Sequence, residues 1–101
     1  MNKTQIERIT KMEAILDESA AITRDVAEVL ERFSAIQDKI NELSQYYGSA
    51  EWLADYDDSN SGKLPAGMKC GVLSEDSIYD LLAENKALAI EMLKVATKIL
   101  K

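Results

Sequence analysis

Histidine is absent from this chain, cysteine and proline occur once each, and glycine occurs four times. Each scarcity excludes something. Without histidine, the commonest general base and the commonest transition-metal ligand are missing. Cys70 is alone, so it can neither close an internal disulfide nor build a cysteine-rich zinc site, which fits a reducing compartment. It sits in KCGV beside a lysine but has no histidine to activate it, so it reads as a buried or incidental thiol. No apolar run approaches the ~20 residues of a membrane span. The opening MNKTQIERIT enters a charged amphipathic pattern directly, with no apolar signal core, so a cytoplasmic setting without a membrane is expected.

Pro65 and three of the glycines fall between Ser61 and Gly71, with Gly48 upstream. Elsewhere the chain has no helix breakers, which favours long helices over many short strands. Aromatics make up only 6% against 47% apolar residues, so the core must be aliphatic. No phosphate-cradling glycine loop or nucleotide fingerprint is present.

Charge is present in quantity and unevenly spread. Residues 1–47 carry six basic and nine acidic side chains, residues 48–77 two and six, and residues 78–101 four and three. The net charge of −6 repels nucleic acid and anionic lipid at long range, and no basic patch offsets it. Nucleic-acid binding is not expected.

Met12, Ile15, Ser19, Ile22, Val26, Val29, Phe33, Ile36, Ile40, Leu43 and Tyr47 follow heptad spacing, broken only by Ser19. Ile6, Ile9, Leu16, Ala20, Ala27 and Leu30 widen the stripe beyond a strict two-stranded seam. Glu13 on this flank reads as a seam-edge carboxylate reaching for solvent. Glu7 with Lys11, Arg24 with Glu28, and Glu28 with Arg32 are spaced for ion pairs worth about 0.2–0.5 kcal/mol each. A helix over about 4–47 would be roughly 65 Å long, against a radius of gyration of about 13 Å for a compact domain of this size. It must either break near Ser19 to Thr23, where the stripe weakens, or bury its surplus face against another chain. With no glycine or proline there, one long helix and self-association are the expectation.

A second helix is expected over 74–100. Ser74 is a natural N-cap, Glu75 and Asp76 suit its first turn, and Lys94, Lys98 and Lys101 suit its end. Ile78, Leu81, Asn85, Leu88, Met92, Val95 and Ile99 repeat the heptad. Asn85 either fixes register as a buried polar residue or lies at an edge or kink.

Residues 48–73 read as a short helix plus a turn-rich loop. Gly48 ends the first helix, Ser49 caps a short helix through Glu51, Trp52, Leu53 and Tyr56, DDSNSG is a loop, and LPAG is a second turn. Asp57, Ser59, Ser61, Gly62 and Leu64 mimic the start of an EF-hand loop. Met68 stands where its bidentate glutamate belongs, so no calcium site is expected, nor any other metal or cofactor.

Tyr46, Tyr47, Trp52 and Tyr56 lie within eleven residues of one another, with Tyr79 close behind. Together with Asp55 they are the candidate ligand or partner surface. The structural alternative, favoured here, is that they plug the end of a helical hairpin.

The segments IERITKMEAILDE, LSQYYGSAEWLADYD, SGKLP, GVLSEDSIYDLL and ALAIEMLKVATKIL together resemble the bacterial family called domain of unknown function 4298. That resemblance implies a helical protein of the bacterial cytoplasm and carries no activity, ligand or catalytic residue with it.

The sequence therefore predicts a single all-α domain over 1–101. It is an antiparallel helical hairpin of one long N-terminal helix, a short helix and ordered loop at the turn, and a C-terminal helix. The expected function is non-enzymatic: a self-associating interaction protein, most simply a dimer, that also presents a surface to another protein. The alternative is a small-molecule or metal-binding protein, conceivably an enzyme, with its site at the aromatic and acidic turn.

Overall fold

The computed structural model describes residues 2–101. Its first element, α1, is one unbroken helix over Lys3–Tyr46, passing through Ser19 to Thr23 without interruption. Nothing inside it removes a donor or favours a left-handed residue, so propagation continues at little cost per residue. The Asn2 side chain starts it by accepting from the Gln5 amide at 2.7 Å. Gly48, at φ +79°, stops it, and the Ser49 amide turns back to the Tyr46 carbonyl at 3.0 Å. Of the expected helical ion pairs, Glu7 instead reaches back to Lys3 at 3.9 Å, and Arg24, Glu28 and Arg32 make none among the described residues. These are exposed side chains, for which a fixed pairing gains little.

α2 spans Ala50–Asn60. Ser49 caps it, its hydroxyl accepting from the Trp52 amide at 3.1 Å. The helix runs further than the sequence suggests: Asp57 to Asn60, expected in a loop, are its last turn. The stop lies at Gly62, in the left-handed region at φ +71°. Its amide donates to the Ser59 carbonyl (3.2 Å) and the Lys63 amide to the Asp58 carbonyl (3.0 Å), the paired bonds of a Schellman motif. Lys63 also lies 3.8 Å from the Asp58 carboxylate. The positions that mimic an EF-hand loop are thus partly committed to a helix.

The LPAG turn closes with the Met68 amide on the Pro65 carbonyl at 3.2 Å. A single 3-10 turn, Gly71–Leu73, follows and packs against both α2 and α3. α3 spans Ser77–Ile99. The helix starts later than the cap expected at Ser74: Asp76 stands at its N-cap without a side-chain cap bond, so Glu75 and Asp76 precede the first turn. The Ser74 hydroxyl still accepts from the Ser77 amide at 3.1 Å, and the two serine hydroxyls are hydrogen-bonded.

The chain divides into two compact units, one ending at Gln37 and the other Asp38–Lys101. The first is α1 alone. Its apolar stripe is exposed, from 41% at Ile36 to 61% at Leu16, apart from the half-buried Phe33. In the second unit the buried apolar residues are Trp52, Leu73 and Ile78, the last only 2% exposed. One from each of α2, the 3-10 turn and α3, they make the core a small knot at the turn. The all-α class and the order of long, short and C-terminal helices are as expected. Val26 and Val29 on α1, and Leu81, Leu88, Val95 and Ile99 on α3, are exposed. Among the described residues, no helix is long and apolar enough to cross a membrane.

Candidate functional site

Trp52 is the centre of the aromatic turn. Ser49 fixes the first turn of α2, and the i, i+4 spacing then puts Trp52 and Tyr56 on one face. Their rings stack at 5.2 Å between centroids, with 19° between planes. Tyr47, just beyond the end of α1, meets the indole edge to face at 5.3 Å and 73°. Both geometries suit the ring quadrupoles.

The polar atoms of the cluster are used to hold the chain that follows. The indole N–H of Trp52 donates to the Val72 carbonyl at 2.9 Å, tying α2 to the 3-10 turn. The Tyr47 hydroxyl donates to the Glu75 carbonyl at 3.0 Å, and the Tyr56 hydroxyl donates to the Glu75 carboxylate at 3.1 Å. Glu75 is thus gripped at both its backbone and its side chain, immediately before α3. It is the residue of the cluster that the sequence did not single out, since a glutamate after Ser74 reads as a first-turn charge; only the fold reveals its tyrosine partners.

Tyr46 stands in a separate pair. Its hydroxyl donates to the Asp55 carboxylate at 2.6 Å. That hydrogen bond, followed by desolvation and the charges of Asp55 and Glu51, pushes its pKa up from 10.0 to about 12. The phenol stays protonated, so Tyr46 is a hydrogen-bond donor, not a base. Tyr79, by contrast, is 62% exposed and forms no ring pair with the others. Five of the six candidate residues therefore gather into the Trp52 cluster and the Tyr46–Asp55 pair, and Tyr79 does not join them.

A shallow open groove of about 410 Å³ lies beside this region, lined by Lys39, Glu42, Leu43, Tyr46 and Val72. Among the described residues, no group of three or more cysteine, aspartate or glutamate side chains is placed to hold a metal ion. The half-buried Cys70 thiol donates to the Met68 carbonyl at 3.3 Å. The arrangement joins segments of backbone: its donors point at carbonyls and carboxylates of the same chain.

Comparison with curated proteins and with solved structures returns no match. A family profile, domain of unknown function (DUF4298), matches residues 9–95, and the middle segment and GVLSED that carry the resemblance lie inside this range. Those segments supply the aromatic cluster and its Glu75 anchor. The chain belongs to the DUF4298 family.

Proposed function

We propose that this protein is a non-enzymatic, self-associating helical interaction protein of the bacterial cytoplasm, with a homodimer as its basic assembly and a further protein as its partner. The observation that carries the proposal is the apolar stripe of α1, exposed at Met12, Ile15, Ile22, Val26, Val29 and Ile36 on heptad spacing. Monomeric soluble proteins rarely expose contiguous apolar patches above a few hundred Å², and larger ones mark interaction surfaces. At about 25 cal/mol per Å², covering such a stripe is a stabilisation that self-association supplies. The lone thiol and the acidic surface support the cytoplasmic setting.

A small-molecule or metal site at the aromatic turn has less support, because the hydroxyls of Tyr46, Tyr47 and Tyr56 and the indole N–H are already bonded within the chain. Native mass spectrometry of the purified protein at micromolar concentration separates the two. The expected species is a dimer or higher oligomer without added mass. A monomer carrying a reproducible adduct would transfer the function to the aromatic turn.

A further inference from the structure

We propose that the second copy of this chain lies antiparallel along α1, in the register that sets Val26 opposite Val29 of the other protomer. This inference rests on the self-association proposed above and specifies its geometry.

It comes from the charges that border the apolar stripe. With Met12, Ser19, Val26, Phe33 and Ile40 on one seam position and Ile15, Ile22, Val29, Ile36 and Leu43 on the other, the residue just before each of the first set flanks the seam. Those flanking residues are Lys11, Glu18, Asp25, Arg32 and Lys39. All five are exposed, and none forms an ion pair within the chain among the described residues. The opposite flank is uncharged: Ile9, Leu16, Thr23, Leu30, Gln37 and Ser44. Flanking charges set partner and orientation in helix pairs.

Orientation follows at once. In a parallel pair each charged flank faces the uncharged flank of the other helix, and all five charges lie unpaired against Leu16, Thr23, Leu30, Gln37 or Ser44. In an antiparallel pair the charged flanks face each other. Sliding one helix past the other by one or two heptads then tests the neighbouring registers. With Val26 opposite Val29, Asp25 meets Arg32 and Glu18 meets Lys39, each contact occurring twice by symmetry, while Lys11 meets the uncharged Tyr46. Moving one heptad one way sets Asp25 against its own copy and Lys11 against Lys39. Moving one heptad the other way sets Arg32 against its own copy. Moving two heptads, so that Lys11 meets Arg32, also brings Glu18 onto Asp25. One register is free of like-charge contacts among these, and it also covers the most exposed stretch of the stripe.

The test compares sedimentation equilibrium of the full chain with two charge variants. Glu18→Lys with Asp25→Lys turns every opposite-charge contact of this register into a like-charge one, and dimerisation is expected to weaken at least about tenfold. Adding Arg32→Glu and Lys39→Glu reverses every contact back to attraction, and the dimer is expected to return. Circular dichroism of both variants checks that the exposed substitutions leave the helices intact. In a Cys70→Ser background, Glu18→Cys mixed with Lys39→Cys is expected to cross-link heterotypically through a short bis-maleimide. A dimer indifferent to the double charge reversal, or one that cross-links only like with like, overturns the register and leaves self-association standing. A native chain that stays monomeric at 100-fold the concentrations used for the variants, on the order of 0.1–1 mM, overturns both.

Discussion

At the scale of single residues, Trp52 is the side chain that joins most of the turn. It is 8% exposed, touches two aromatic rings and ties α2 to the 3-10 turn through Val72. Trp52→Ala is therefore expected to destabilise the turn by about 3–5 kcal/mol, and Trp52→Phe by about 1 kcal/mol for the lost hydrogen bond; urea titration followed by far-ultraviolet circular dichroism measures both. Tyr46 offers an independent check on the Asp55 contact. Its folded pKa of about 12 lies above the ordinary 10.0, so it favours the folded state fully below pH 10 and loses that contribution as pH rises towards 12. Absorbance titration near 295 nm should show Tyr46 ionising late, and Asp55→Asn should bring it back towards the ordinary 10.0. A Tyr46 that ionises normally in the native protein would mean that the short contact with Asp55 does not form in solution.

At the scale of elements, the stops matter more than the helices. α1 and α3 follow from uninterrupted helix-forming sequence, but where α2 ends decides how the chain reaches the 3-10 turn. Gly62→Ala places a side chain in the left-handed region, where nothing within 4 Å crowds it sterically but its own backbone opposes it. The expected cost is about 1 kcal/mol, read as a lowered thermal midpoint. Ser49→Ala removes the cap of α2 and should cost about 1 kcal/mol as well. The heptad spacing and the cap at Ser49 were legible along the chain because each is a local pattern of neighbours. The last turn of α2 was not. DDSN has loop composition, and its helical state depends on Gly62 being the Schellman residue and on Trp52 holding the preceding turns in place.

At the scale of the whole molecule, the imbalance between a small core and a long exposed stripe governs behaviour in solution. Val26 is 57% exposed, so Val26→Glu should leave a single chain nearly unaffected while removing self-association. The expected result is a monomer whose Trp52 emission and near-ultraviolet circular dichroism match the native protein; a dimer that survives this change would place the interface elsewhere. The thermal midpoint of the native protein should also rise with its concentration, as it does wherever folding and assembly are linked. A midpoint independent of concentration over two decades would argue against that linkage.

The sequence by itself determined that this chain is acidic, helical and poor in the groups that catalysis uses. Those properties depend on composition and on repeats three or four residues apart, which a single pass along the chain can read. It also marked Tyr46, Tyr47, Trp52, Asp55 and Tyr56 as a concentration worth inspecting. Only the tertiary structure decided what that concentration is. Glu75 lies 28 residues from Tyr47 and 19 from Tyr56 along the chain, and no local pattern pairs them. Tyr79, as close in sequence to Glu75 as Tyr47 is distant, was left exposed because helical periodicity turned it away from Ile78, its buried neighbour. Packing is a matter of which surfaces meet after the chain has turned, and that information is distributed over the fold, not written in any one stretch of it.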